Sequence, residues 1–383
     1  MIPLFKVFMP ESVIGPLKET LLSGYIGEGP KVKEFEQKLE QWMSNDKILA
    51  LNCGTSAIQL ALRLANVGPG DEVISTPMTC TATNMPVLAA GARLVWADID
   101  PWTGNIDPED IRKKITSKTK AVICVHWGGY PCELLEIALG TVQKRIPVIE
   151  DAAHAFGSKY RDNKIGSVSD FTCFSFQAIK GVTTVDGGAL SCKFRADYDR
   201  GKLLRWYGID RSAKQKDLRC ERNIREYGYK FHMNDVCATI GIEQLKYTDI
   251  ILDAHRNNAK AYDAAFKDLE NVKLLKYDPR NLSSYWLYTL RVRERDVFID
   301  FMADAGIMAS KVHARNDLHS CFEDSRCELP GVDEFYSEQV SIPVGWWLYQ
   351  PELIYIISKV QEYDVYIGGN KSRCSGQLAG QLS

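Results

Sequence analysis

The sequence predicts an α/β protein with a mostly parallel sheet in a large domain and a smaller C-terminal α/β domain. Three observations predict it. Short, almost wholly apolar runs alternate with helical patterns through the first two-thirds of the chain. Those runs lack the in–out alternation of a strand with one wet face, so the sheet is covered on both sides. Near Asp235 the alternation gives way to long helical periodicity.

Taken in order, Ile48 to Asn52, Glu72 to Ser75, Leu94 to Ala97, Ala121 to Val125, Val148 to Glu150, Phe171 to Phe174 and Gly188 to Ser191 read as buried strands. Helix-start chemistry lies between them. Gly54-Thr55-Ser56 opens the periodic run Ala57 to Leu62, and Asp107-Pro108 sets an N-cap before proline at the first helical position. A helix is expected from Asp235 to about Leu269. Strand-like Tyr285 to Val292, a helix from Asp296 to Ala305, the run Ser341-Ile342-Pro343-Val344 and a helix after Pro351 complete a second unit. The expected division is residues 1–245, with the N-terminal segment, for the large domain and 246–365 for the small one. Residues 366–383 are rich in Gly, Ser and Gln, and are expected to be disordered.

Composition narrows the classes. With 47 basic and 49 acidic residues the net charge is −2, which gives no electrostatic reason to bind nucleic acid or a membrane surface. Eleven cysteines with no CxxC pair read as reduced thiols, not as a zinc site or disulfide scaffold. Charged residues interrupt the first twenty positions, so no signal peptide is expected. No apolar run reaches the ~20 residues of a membrane helix. A cytoplasmic protein is the expectation.

Three features carry chemistry. Lys180 ends Cys173-Phe174-Ser175-Phe176-Gln177-Ala178-Ile179 and precedes Gly181 and the turn up to Gly187-Gly188, an apolar setting for a residue that prefers water. Asp151 ends the apolar strand Val148-Ile149-Glu150. Gly54-Thr55-Ser56 joins a strand to a helix, where free amides suit a phosphate. Each has an ordinary explanation alone: a helix cap, a cap or metal ligand, a snorkelling lysine. Together they place an amine, an acid and a phosphate cradle on one edge of one sheet. That is what pyridoxal phosphate requires: an amine to form the Schiff base and a carboxylate to keep the pyridine nitrogen protonated.

These residues resemble a family. Gly54-Thr55-Ser56-Ala57, Gly68-Pro69-Gly70-Asp71-Glu72-Val73, Asp98-Ile99-Asp100, Glu150-Asp151-Ala152-Ala153, Phe174-Ser175-Phe176 through Lys180, and Thr183-Thr184 with Gly187-Gly188 are similar to the DegT-type sugar aminotransferases. Those are fold-type I pyridoxal phosphate enzymes acting on nucleotide-linked keto-sugars. The likeness runs from about Gly24 to about Ile357.

The resemblance implies a role for each position. Lys180 would bond the cofactor and carry the proton, and Asp151 would pair with the pyridine nitrogen. Gly54, Thr55, Ser56 and Ser175 would hold the phosphate. His154 stands where many members carry Gln, near the ring hydroxyl. Cys80 replaces the aromatic that commonly covers the ring, so a sulfur contact replaces a stack, with Trp127 as a candidate to compensate. Lys230 stands where many members use Asn to reach the phosphate in the partner subunit, which presumes a homodimer with shared sites. Trp127, His313 and His319 are candidates to border the sugar. No metal is implied.

The implied reaction is transfer of an amino group from glutamate to a nucleotide-linked keto-deoxyhexose, a 4-keto-6-deoxy sugar by resemblance, in amino-sugar or surface-polysaccharide biosynthesis. A related 3-dehydratase carries His in place of the lysine, so Lys180 argues against that activity. An inosose-type cyclitol aminotransferase and a catalytically silent sensor or scaffold are the alternatives.

Overall fold

The computed structural model describes residues 1–211 and 223–379. All seven expected strands form within a residue or two of their expected bounds, and all join one sheet. They are β1 (Ile48–Leu51), β2 (Glu72–Ser75), β3 (Arg93–Trp96), β4 (Thr119–Val125), β5 (Val148–Asp151) and, after a ribbon of β6 (Lys159–Tyr160) and β7 (Asn163–Lys164), β8 (Phe171–Ser175) and β9 (Gly188–Cys192). The order across the seven-stranded sheet is β1-β9-β8-β5-β4-β2-β3. Only β9 runs against its neighbours, so the other six share one carboxyl edge.

Strand residues pack on both faces because side chains alternate. Leu49, Leu51, Val73, Ile123 and Ile149 enter one apolar cluster, while Ile48, Ala50, Ile74, Val122 and Val148 enter another. The accompanying helices are α1 (Ile14–Leu22), α2 (Pro30–Met43), α3 (Gly54–Leu64), α4 (Thr81–Ala89), α5 (Pro108–Lys114), α6 (Leu134–Thr141), α7 (Arg195–Leu204) and α8 (Asp235–Leu245). α3 and α4 cover the first face, and α2, α6 and α8 the second. In α2 the stripe Val32, Phe35, Leu39 and Met43 is buried at helical spacing. Each such side chain contributes about 1.5–3 kcal/mol by leaving water.

The helix expected from Asp235 to Leu269 is two helices. α8 ends at Leu245, Lys246 and Tyr247 turn the chain, and α9 spans Thr248–Phe266. No Gly or Pro marks the break. α8 packs on α1 and α2, whereas α9 packs into a third cluster, so the apolar periodicity continues while its partner changes. That cluster centres on an antiparallel sheet of β10 (Val272–Leu274), β11 (Tyr288–Val292) and β12 (Gln339–Ile342). It is joined by α10 (Arg295–Asp304) and α12 (Gln350–Ala379), while α11 (Pro330–Glu338) packs Val332 and Phe335 into the first cluster.

The two units interlock beyond the expected division. Ile2 bridges Ile307 and the Trp347 indole donates to Pro3 O at 3.0 Å, so the N-terminal segment lies on the small domain. In return, Asp98 caps the Gly331 and Val332 amides at 2.8 Å each, docking α11 on the large domain. The tail expected to be disordered from residue 366 is helical as far as Ala379. The stripe Ile356, Val360, Tyr363 and Ile367 anchors α12 past the expected end, and residues 380–383 lie outside the described residues. No helix among the described residues is long and apolar enough to cross a membrane.

Candidate active site

The carboxyl edge of the sheet gathers the chemistry-bearing residues. Asp151 closes β5, buried, and both its oxygens are engaged by the chain. The Thr83 hydroxyl donates to Oδ2 at 2.6 Å and the Ala153 amide donates to Oδ1 at 3.0 Å. Because Thr83 gives its proton to the acid, Thr79, 2.8 Å away, must donate to Thr83. This short relay leaves each carboxylate oxygen a lone pair for a further partner.

Lys180 sits on the turn between β8 and β9. That turn is tied by Lys180 N–H to Gln177 O at 2.9 Å, Thr184 N–H to Phe176 O at 2.9 Å and Phe176 N–H to Gly187 O at 2.8 Å. Its Nζ lies 3.6 Å from the centre of the Trp286 ring. Burial pulls the amine down to about 8, against the opposing charges of Asp151 and Cys80. Lys180 as a residue is half-buried, but its amine turns inward onto the Trp286 ring and does not snorkel out to solvent.

Two imidazoles share this space. His154 stacks on Trp286 at 3.9 Å and lies parallel to His313 at 5.6 Å. Burial, then Lys180 and His313, hold His154 well below its usual value. Burial and Lys180 bring His313 to about 4. Both rings are neutral at pH 7, and His154 Nδ1 and His313 Nε2 are buried without a hydrogen-bond partner among the described residues.

At the start of α3 the capping differs from the expectation. Cys53 Sγ accepts the Ser56 amide at 3.4 Å and faces the Ser56 hydroxyl at 3.2 Å, so Cys53 is the cap and Ser56 is buried beside it. The amides of Gly54 and Thr55 have no acceptor among the described residues, as the first turn of a helix dictates. A Cβ on Gly54 would stand 2.9 Å from Ser175 Cβ, so only glycine lets the helix start approach β8 this closely. Lys230 is exposed, with its carbonyl 3.5 Å from Asn52 Nδ2 beside the same edge. Arg205 is buried between Glu28 and Glu36 and fixes the Gly27-Glu28-Gly29 segment nearby.

These residues fit pyridoxal phosphate on four counts: a buried amine, an acid with spare acceptor capacity, free amides beside a serine, and an unpartnered imidazole nitrogen. Among the described residues no cluster of His, Cys, Asp and Glu is arranged to hold a metal.

Of the expected sugar contacts, Trp127 is closed off from this space. Trp127 is fully buried, its indole donating to Thr289 Oγ1 at 3.1 Å and its ring edge-on to Phe335, so it belongs to the core behind His313. A wholly covered ring cannot compensate for Cys80. His319 is exposed at the end of a 3-10 turn. Two residues that sequence reasoning missed are central: Thr83, an unremarkable threonine within a helix, and Trp286, read only as part of a strand.

The model of the DegT/DnrJ/EryC1/StrS aminotransferase family matches residues 9–361. The UDP-4-amino-4,6-dideoxy-N-acetyl-beta-L-altrosamine transaminase of Campylobacter jejuni is 31% identical, covering 85% of this chain and 87% of its own. The solved sugar aminotransferase CalS13 of Micromonospora echinospora superposes with a TM-score of 0.91 at 36% identity, covering 94% of this chain and 100% of its own. Spr1654 of Streptococcus pneumoniae is solved in a PMP form and a PLP form. Its PMP form gives a TM-score of 0.90 at 30% identity and covers 96% of this chain and 100% of its own.

Proposed function

The chain belongs to the DegT/DnrJ/EryC1/StrS aminotransferase family and is an aminotransferase. From that premise we propose that it uses pyridoxal phosphate to aminate a nucleotide-linked 4-keto-6-deoxyhexose, with glutamate as donor, for amino-sugar biosynthesis. The observation that carries this reading is the buried Lys180 amine, held at about 8 in the same space as Asp151 and neutral His154. When bound, the cofactor ring takes up the electrons released as the donor loses its α-proton.

The remaining work falls to side chains and main-chain amides of this protein. Asp151, oriented by Thr83 and Ala153, holds negative charge against the ring nitrogen. The Gly54 and Thr55 amides and the Ser175 hydroxyl receive the phosphate. His154 offers Nδ1 toward the ring hydroxyl. Lys180 Nζ accepts and returns the migrating proton, which needs its neutral form, and burial supplies a useful fraction of that form near neutral pH. In a homodimer Lys230 crosses the subunit boundary and adds a point charge at the partner's phosphate. His313, with Nε2 unpartnered, faces the sugar. The C. jejuni relative, named for a 4-amino-4,6-dideoxy sugar nucleotide, supports this substrate class.

The experiment is Lys180→Ala. The parent protein should be yellow with cofactor, bleach with glutamate, and convert keto-sugar nucleotides to products heavier by the expected amine exchange in mass spectra. The variant should bind cofactor and yield no aminated product. Normal turnover by Lys180→Ala refutes the reading.

A further inference from the structure

Trp286 lies just before β11, in the small-domain part of the chain, yet its contacts are with the lysine turn of the large domain. Its indole N–H donates to Ile179 O at 3.0 Å, the carbonyl immediately before Lys180. Its ring centre lies 3.6 Å from Lys180 Nζ, and the same ring stacks on His154 at 3.9 Å, with Phe5 stacked at 5.0 Å. The side chain is 6% exposed.

The backbone that presents it is strained and pinned. Tyr285 has φ 49°, in the left-handed region that costs a non-glycine residue free energy and persists only where the surroundings over-determine it. They do so here. Ser284 N–H donates to Ser158 Oγ at 2.9 Å, and Ser284 Oγ donates to His154 O at 2.6 Å. Tyr285 O bonds His255 Nδ1 at 2.8 Å, and Leu287 N–H donates to Gly128 O at 3.1 Å. A strained residue fixed at each side aims one indole at one amine.

We infer that Trp286 is a positioning residue for transamination: its ring holds the Lys180 amine in place and its N–H fixes the turn that carries it. This rests on the reading of Lys180 as the proton carrier. The ring face is electron-rich and favours the ammonium over the amine, so the ring also opposes the burial that discharges Lys180. One side chain thus acts on the position of the amine and, beside burial and Asp151, on its charge.

The test compares Trp286→Phe, which keeps a ring and loses the donor, with Trp286→Leu, which loses both. In the holoenzyme, Trp286→Leu should lower kcat by roughly tenfold to hundredfold, the scale of a slightly misplaced reacting group, with KM for glutamate changed less. Trp286→Phe should recover part of that loss. In cofactor-free protein, Lys180 is labelled by formaldehyde with cyanoborohydride across pH and quantified by peptide mass spectrometry. Its midpoint should fall by about half to one pH unit in Trp286→Leu and stay near the parent in Trp286→Phe. Should Trp286→Leu not fold, Trp286→Tyr carries the same comparison against Trp286→Phe, with the parent's kcat and midpoint in both sinking the inference. A Trp286→Leu protein that folds and keeps the parent's kcat and midpoint overturns it too. Because Lys180→Ala tests the underlying reading separately, an inactive Lys180→Ala beside an unaltered Trp286→Leu removes only the role of Trp286.

Discussion

Glu150 and Asp151 are adjacent on β5, both buried, and they have opposite fates. Glu150 points to the sheet face behind the site. His126 Nε2 donates to its Oε2 at 2.8 Å, and the Thr172 hydroxyl and Ser169 amide donate to Oε1 at 3.0 and 3.2 Å. Burial opposes charge on His126, but Cys132 and Glu150 outweigh it and push the ring up to about 10, yet the hydrogen-bond geometry around the ring is that of the neutral form. The Cys132 amide decides the tautomer, because it donates to Nδ1 at 3.0 Å and so needs a lone pair there. The ring is the neutral Nε2–H form, and Glu150 is consumed by the fold. Asp151, on the other face, has two chain donors, spare lone pairs and a buried amine in its field. The pair teaches that acidity and burial do not mark a functional carboxylate. Unused hydrogen-bonding capacity facing an opposite charge does.

Isosteric amides should separate the two most sharply. Asp151→Asn removes the charge that would hold a ring nitrogen protonated, and kcat should fall roughly 10²–10³-fold, the size seen when one preorganised electrostatic contact is lost. Its urea midpoint should stay near the parent's. Glu150→Gln presents an NH₂ or a single oxygen to three donors, and should lose about 1–3 kcal/mol of stability with kcat almost unchanged. Urea unfolding and steady-state turnover on the same preparations check both. If the two variants exchange effects, the division of labour along β5 is wrong.

A second contrast concerns charge. The Glu150 face has its donors matched, whereas the Asp151 face buries an amine whose folded value of about 8 lies below its usual 10.5. In that window the unfolded chain binds more protons than the folded one, so stability rises with pH from about 8 toward 10.5. Below about 8 both states are protonated and the folded state carries the full penalty of a buried ammonium. Lys180→Met in cofactor-free protein should therefore be more stable than the parent at pH 7, by on the order of 1–2 kcal/mol once the lost ring contact is subtracted. The gap should narrow by pH 10. A constant gap would mean the amine is not desolvated.

The strands were readable because a strand buried on both faces must be apolar throughout, and Val148-Ile149 or Val122-Ile123 cannot be much else. Lys180, Asp151 and Gly54 were readable because each breaks an apolar or periodic pattern, at a strand end or in the turn after one. What stayed hidden depends on neighbours distant in the chain. The turn at Lys246 follows from a change of packing partner and not from a breaker residue. Trp127 follows a strand end beside His126, where sequence suggests access, yet α11 covers it through Phe335. Trp286 reads as strand, but β11 starts at Tyr288 and the strained Tyr285 redirects the ring into the large domain.

Thr83 is the finest probe of the same contrast, since it serves Asp151 as Thr172 serves Glu150. Its sequence context gives no hint, because threonine inside a helix usually bonds a carbonyl one turn back or meets solvent. Here it reaches 2.6 Å across to Asp151, with Thr79 at 2.8 Å forcing the direction of the proton. Thr83→Val keeps the shape and removes the donor, leaving Oδ2 one bond short and the Thr79 hydroxyl without its acceptor. The lost bond is worth about 1 kcal/mol, so cofactor affinity or kcat should fall by roughly fivefold, through a carboxylate that swings more freely. The corresponding Thr172→Val should leave turnover at the parent level and lower only the urea midpoint, because Glu150 keeps His126 and Ser169. Titration of cofactor by absorbance, alongside kcat, reads the difference. Equal kinetic losses in the two variants would show that Asp151 is not singled out by how it is held.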